Sequence, residues 1–214
     1  MGSGSLPDCI TGGEVMASWM AKMFNWEASR PKYRADDIVE HLHLREGDVV
    51  ADIGSGGGFF SFAFSEKVGR SGTVYAVDTS KGNLAYIKAQ AKRKGLQNVK
   101  TVLAEEEGLP LPEVGIDKVF LRNVFHHLKE PAAYFGAIRK SLRPNGKIVI
   151  IDHRETAGGG FVRSFKHYTR EEDIVDALAQ PGFELCERWD FLPSQSFLVF
   201  EASQGSQQNE VLRG

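Results

Sequence analysis

An α/β fold, with seven strands in a mostly parallel, doubly wound sheet, is predicted by three features of the 214-residue sequence. Short β-branched apolar runs alternate with longer amphipathic runs from Asp48 to Ala179, the rhythm of parallel strands joined by crossover helices. The first such run, Asp48 to Ile53, meets Gly54, Gly56, Gly57 and Gly58 almost without a spacer, and an amphipathic run opens at Phe59. That reads as strand, tight turn and helix. The last two apolar runs, near Phe183 to Asp190 and Ser196 to Glu201, have no helix between them and predict an antiparallel hairpin that closes the sheet.

Residues 1–11 read as a flexible leader. From Glu14 to Phe24, the residues Val15, Trp19 and Met23 repeat at i, i+4, i+8 with Met16, Met20 and Phe24 beside them, which predicts an amphipathic helix with a wide apolar face. Pro31 breaks the chain, and Ala35 to Leu42 predicts a second helix that buries Ile38, Val39 and Leu42. Residues 12–45 thus form a helical cap ahead of a core at 46–202, the two making one domain. Phe59 to Val68 is a helix closed by Gly69, Thr73 to Asp78 a buried strand, and Ser80 to Lys94 a helix with Gly95 as its C′ residue. Asn98 to Leu103 is the third strand. Pro110 and Pro112 each restrict the residue before them, so Gly108 to Pro112 is loop. Ile116 to Arg122 is the fourth strand, and Pro131 opens a helix that runs to Leu142. Pro144, Asn145 and Gly146 then turn the chain into the fifth strand, Lys147 to Asp152. Gly158, Gly159 and Gly160 predict a loose connection, and Thr169 with Glu172 makes a capping box for a helix through Ala179. Residues 203–214 are polar and read as a disordered tail.

Composition narrows the class. With 42% hydrophobic and 25% charged residues and no apolar run of membrane-spanning length, the chain reads as an ordinary globule that does not insert in a membrane. No basic segment followed by an apolar one stands at the N-terminus, so the cytoplasm is the expected compartment. Two cysteines, Cys9 and Cys186, have no ligand-like spacing; no metal site, disulfide framework or iron-sulfur cluster is expected. A net charge of −2 gives no global attraction to nucleic acid, which is therefore a disfavoured partner. Composition leaves monomer and homodimer equally open.

The glycine loop decides between two nucleoside sites. A dinucleotide fingerprint, G-x-G-x-x-G, would need its third glycine where Phe59 stands. What remains is Asp-x-Gly-x-Gly-x-Gly at Asp52, Gly54, Gly56 and Gly58, which resembles motif I of the class I S-adenosylmethionine (SAM) dependent methyltransferases. SAM has no pyrophosphate to seat on a helix N-terminus, and its ammonium suits a carboxylate. The likeness continues through Asp78 at the end of the second strand, then through Glu105 to Pro112, which looks like a segment of the ubiquinone/menaquinone C-methyltransferase-like branch. Ile116 to Leu128 resembles the fourth motif and Ser141 to Asp152 the turn and fifth strand, with Asn145 in place of a glycine. The segment between Asp152 and Tyr168 is shorter than the substrate cap of many relatives.

The resemblance implies a Rossmann-like domain that uses SAM and releases S-adenosylhomocysteine. It implies that Asp52, Gly54, Ser55, Gly56 and Gly58 hold the methionine and nucleoside, that Asp78, followed by Thr79, takes both ribose hydroxyls, and that Glu105 and the amide of Glu106 meet the adenine. Arg122, which the resemblance also counts among the cofactor-binding residues, and Asn123 end the fourth strand beside the expected methyl, and His126 faces the same pocket as a candidate general base, imidazole being the side chain that changes charge near neutral pH. His127 reads as outward or structural. Trp19 on the first helix, and His153, Arg154, His167 and Tyr168 beyond the fifth strand, are candidates for binding the acceptor, expected to be a small or medium-sized organic molecule. The rival readings are methylation of a protein or RNA and a non-catalytic SAM-binding sensor.

Overall fold

The computed structural model describes residues 12–104, 110–112, 115–154 and 168–203, with backbone only for residues 12–18, 24 and 32. The expected leader, the glutamate segment, the glycine connection and residues 204–214 lie outside the described residues. The N-terminal helix α1 runs Gly12–Ala28, followed by a 3₁₀ turn at Pro31–Tyr33 and α2 at Ala35–His41. Then come β1 (Val49–Ile53), α3 (Phe59–Val68), β2 (Thr73–Asp78), α4 (Lys81–Lys94), β3 (Val99–Leu103) and β4 (Ile116–Arg122). A 3₁₀ turn at Phe125–His127 precedes α5 (Pro131–Arg139), β5 (Leu142–His153), α6 (Glu171–Ala179), β6 (Phe183–Trp189) and β7 (Gln195–Ala202).

The seven strands form one sheet in the order β3-β2-β1-β4-β5-β7-β6. All pairs up to β4 with β5 are parallel, and β7 runs antiparallel to both β5 and β6, as the two helix-free runs predict. Side chains alternate across the strands. On β5, Ile148 and Ile150 join Phe135, Ile138, Ile174 and Leu178 on one face, while Val149 and Ile151 join Ile38, Phe60, Phe64 and Phe197 on the other. A smaller cluster of Phe62, Ala76, Ile87 and Ala91 seats α4. The helix starts are set locally: Ser80 Oγ accepts from Asn83 N–H at the N-cap of α4, and Gly95, in the left-handed region at φ 71, closes that helix.

Three expectations are corrected. The fifth strand takes up Leu142, which pairs with Ile116, so α5 stops at Arg139 and Pro144, Asn145 and Gly146 form an irregularity inside the ladder. The capping box is not made: Arg170 is the N-cap of α6 without a side-chain bond, its guanidinium pairs with Asp173, and Thr169 Oγ1 is buried without a partner. Helix α1 turns its small residues inward. Ala21 and Ala28 are buried, whereas Trp19 and Trp26 are 60% and 63% exposed and Met20 and Met23 are also open.

Candidate active site

The order of strands reverses between β1 and β4, and the crevice beyond their carboxyl ends is where an open α/β sheet binds ligands. Asp52 sits there, next to the last position of β1, with its carboxylate accepting from Ser61 Oγ of α3 at 2.5 Å. Burial pushes that carboxyl up to about 7; the Ser61 hydrogen bond opposes the rise and the Asp78 charge adds to it. Gly54 (φ 71) has a left-handed backbone, and a Cβ there would collide with Val124. At Gly57 a Cβ would collide with the Ala21 carbonyl and Asn25 of α1, whose Nδ2 donates to Gly57 O at 2.7 Å. The close approach of bare backbone explains why α1 buries alanines here: a larger residue at position 21 would push the helix off the loop.

Asp78, at the end of β2, is already engaged. Its Oδ2 accepts from Gly56 N–H at 2.8 Å, and its Oδ1 from Ser80 N–H at 2.8 Å and Asn83 Nδ2 at 3.3 Å. The orientation of this carboxylate is therefore set in advance. Ser55 Oγ, in the same wall, is buried without a hydrogen-bond partner.

At the far end of the cavity, β4 delivers Arg122 and Asn123. The Arg122 guanidinium lies between two rings, 4.9 Å from the Tyr33 centroid and 5.3 Å from that of Phe60, and donates through Nη2 to Gln195 Oε1 at 3.2 Å. Burial pulls it down to about 10, with Tyr33 and Glu27 opposing. Asn123 adopts φ 57, a conformation asparagine tolerates, and its Oδ1 accepts from Gln195 Nε2 at 2.5 Å. Gln195 carries no motif signal in the sequence; it arrives from β7 through the antiparallel register that sets it opposite His153.

His126, expected to face the pocket, is turned to Asp152, and His127, exposed as expected, stands at the cavity. His126 has its side chain 6% exposed and its Nδ1 2.8 Å from Asp152 Oδ1, and it is not among the residues lining the cavity. His127, whose ring centroid is 4.1 Å away, does line it. Asp152 is fully buried and accepts from the backbone N–H of His126 and of His153 as well. His153 stands beside this group, and burial holds its imidazole below the ordinary value, Asp152 opposing while Arg122 and His126 add to the depression. Arg154, expected to meet an acidic acceptor, is matched within the protein: Nη2 is 2.7 Å from Asp190 and Nε 3.3 Å from Glu171. Trp19 and Tyr168 do not line the cavity, and Glu105, Glu106 and His167 lie outside the described residues.

Together these walls enclose about 450 Å³, within the usual range for a small-molecule site. Asp52, Gly54, Ser55, Gly56, Gly57, Asp78, Thr79 and Asn83 make one end, and Glu27, Tyr33, Phe60, Arg122, Asn123 and His127 the other. A nucleoside fits the first end: the glycine cradle is filled by any Cβ, one carboxylate is oriented, one is buried with nothing cationic bonded to it, and one hydroxyl lacks a partner. Such a site at the switch point of a doubly wound sheet defines a nucleoside-binding α/β protein.

The comparisons with known proteins carry the assignment further. Residues 44–189 match the family described as a methyltransferase domain, and the chain belongs to that family, among the class I SAM-dependent methyltransferases. It is similar to a demethylmenaquinone methyltransferase of a Geobacillus species, with 24% identity over 63% of this chain and 58% of the relative. It is also similar to a tRNA U34 carboxymethyltransferase of Desulfotalea psychrophila, with 26% identity over 67% of this chain and 41% of the relative. The chain thus spans about half the length of these relatives. A crystal structure of a SAM-dependent methyltransferase from Aquifex aeolicus aligns with a TM-score of 0.71 and 25% identity, covering 77% of this chain and 87% of the other. Among the described residues no helix is long and apolar enough to cross a membrane.

Proposed function

We propose that this chain moves the sulfonium methyl of SAM to a small or medium-sized organic acceptor. The observation that carries the reading is the continuity of one cavity from Asp52, Ser55 and Asp78 to Arg122, Asn123 and His127. When bound, SAM supplies a methyl already activated by its positive sulfur, so the residues of the chain mainly position, desolvate and move a proton. Asp52 meets the ammonium as an anion, a cationic neighbour favouring the charged carboxylate that burial disfavours. Asp78, held by Gly56, Ser80 and Asn83, takes the ribose hydroxyls. Tyr33, Phe59 and Phe60 shield the acceptor end from water, and Arg122 and Asn123 orient the acceptor against them. His127 is the imidazole placed to take a proton from an acceptor that must lose one, while His126, held by Asp152, braces it from behind.

Two measurements test this. Label from methyl-labelled SAM, offered with a cell extract that is then split into metabolites, RNA and protein, is expected in the metabolite fraction. Label in RNA or protein instead makes the acceptor a macromolecule, and binding of SAM without any label transfer makes the chain a sensor. With the acceptor in hand, His127→Ala is expected to lower kcat by about 100-fold while leaving cofactor affinity in place; full turnover by that variant removes the proton-accepting role.

A further inference from the structure

The hydrogen-bond polarity of the acceptor end follows from one buried side chain. Gln195 is 1% exposed and lies between Arg122 and Asn123. Arginine can only donate, so the end of Gln195 that faces Arg122 Nη2 must be its carbonyl. Its amide nitrogen then faces Asn123, which must answer with Oδ1. The remaining donor of Asn123, Nδ2, is left for the cavity that Asn123 lines, and no protein group among the described residues takes it. The backbone keeps Asn123 in place, its N–H bonded to Ile151 O at 2.8 Å with φ 57. The Arg122 side chain thus offers only donors to the β4 wall, and Asn123 has its Oδ1 engaged by Gln195 and its Nδ2 donor open. Glu27, which accepts from the Tyr33 hydroxyl at 2.9 Å, offers acceptor atoms only on the opposite, helical wall.

We propose that Gln195 is a positioning residue that biases the Arg122 and Asn123 side chains of the β4 wall toward hydrogen-bond donation, and thereby selects acceptors that turn an oxygen lone pair, rather than an N–H, toward them. The proposal deepens the methyltransferase reading and rests on it. Glu at this position can only accept; it pairs with Arg122 and forces Asn123 to turn Nδ2 inward, so that Oδ1 faces the cavity and the wall changes sign.

The test uses the full chain with S-adenosylhomocysteine bound and two neutral probes of like shape, 4-fluoroacetophenone, which only accepts, and 4-fluoroaniline, which donates, each titrated by fluorine NMR. Because the added carboxylate of Gln195→Glu itself repels a carbonyl oxygen and attracts an N–H, Gln195→Leu, which adds no charge, is the arm that reads the orientation of Asn123 alone. The wild-type protein is expected to prefer the ketone, and the ketone-to-aniline affinity ratio to fall by about tenfold in Gln195→Glu and by less in Gln195→Leu, the worth of one hydrogen bond. Affinity for S-adenosylhomocysteine should stay within roughly threefold in both variants, since Gln195 touches no part of the nucleoside end. A ratio equal in all three proteins, an equal loss of both probes in both variants, or failure of the probes to bind the wild type at millimolar concentration overturns the role of Gln195. Failure of the wild type to bind S-adenosylhomocysteine overturns the cofactor reading instead.

Discussion

Asp52→Asn is expected to stabilise the protein and to weaken cofactor binding at once. The carboxyl of Asp52 is pushed by burial from 3.8 up to about 7. A folded-state value above the unfolded one means that the folded protein holds the proton more tightly. Stability contributed by this group is thus greatest below pH 3.8, declines as pH rises toward about 7, and above that the whole cost of a buried charge is present. Asparagine has the same shape, can still accept from Ser61 Oγ through its carbonyl, and has no charge to bury. At pH 8 the variant should gain on the order of 3 kcal/mol, or roughly 5–10 °C in Tm for a chain of this size, and the gain should vanish in acid. Cofactor binding changes in the opposite sense. In the wild type, affinity for SAM should fall up to about tenfold per pH unit below about 7, because the ammonium needs the ionised carboxylate and the free protein does not hold it ionised there. Asp52→Asn should bind about 10- to 100-fold more weakly at pH 8 with a flat profile. Calorimetric melts and titrations across pH 5.5–8.5 read both; a variant no more stable than wild type at pH 8, or one that retains the slope, refutes the argument.

A carboxylate buried at the end of β1 against the cost of its charge bears on what can be read in a sequence. The sheet was legible because its signal is local: β-branched runs bounded by glycine and proline fix where strands lie, and the rule that ligands sit at strand ends picks out Asp52, Asp78, Arg122 and Asn123. The bonds that orient them are not local. Asn25 shares a helix face with Ala21 and Ala28, away from the tryptophans, and only the approach of Gly57 explains why the helix buries the two alanines, half-buries Asn25 and leaves Trp19 and Trp26 outside. Gln195 depends on the register of an antiparallel pair, where a slip of one residue would turn it to the other face. His126 and His127 are neighbours in a 3₁₀ turn, whose successive side chains point about 120° apart, so either could face the cavity on the sequence alone. The decision is made by Asp152, which claims His126.

That claim makes Asp152→Ala the substitution with the largest expected loss. The carboxylate is wholly buried and satisfies His126 Nδ1 at 2.8 Å, His126 N–H at 3.1 Å and His153 N–H at 2.8 Å, joining the turn after β4 to the end of β5. Each buried donor left without a partner costs about 1–3 kcal/mol, and because the three share one acceptor the total should be on the order of 3–5 kcal/mol rather than their full sum. Asp152→Asn keeps the volume and one acceptor oxygen but sets an N–H₂ against a protein donor, so it should lose less, about half. It also reverses the ring of His126: a carboxylate requires the proton on Nδ1, whereas the amide can donate to that nitrogen and move the proton to the far side, next to the His127 ring. Urea unfolding of the two variants and of His126→Ala separates packing from hydrogen bonding. In His126→Ala the ring is gone but the His126 and His153 backbone donors keep their acceptor, so the loss should be smaller than in Asp152→Ala. Adding His126→Ala to Asp152→Ala should cost less than it does alone, leaving a coupling of at least about 1 kcal/mol. Strict additivity, or an Asp152→Ala protein within about 1 kcal/mol of wild type, would mean that the carboxylate is not what binds the turn to the sheet.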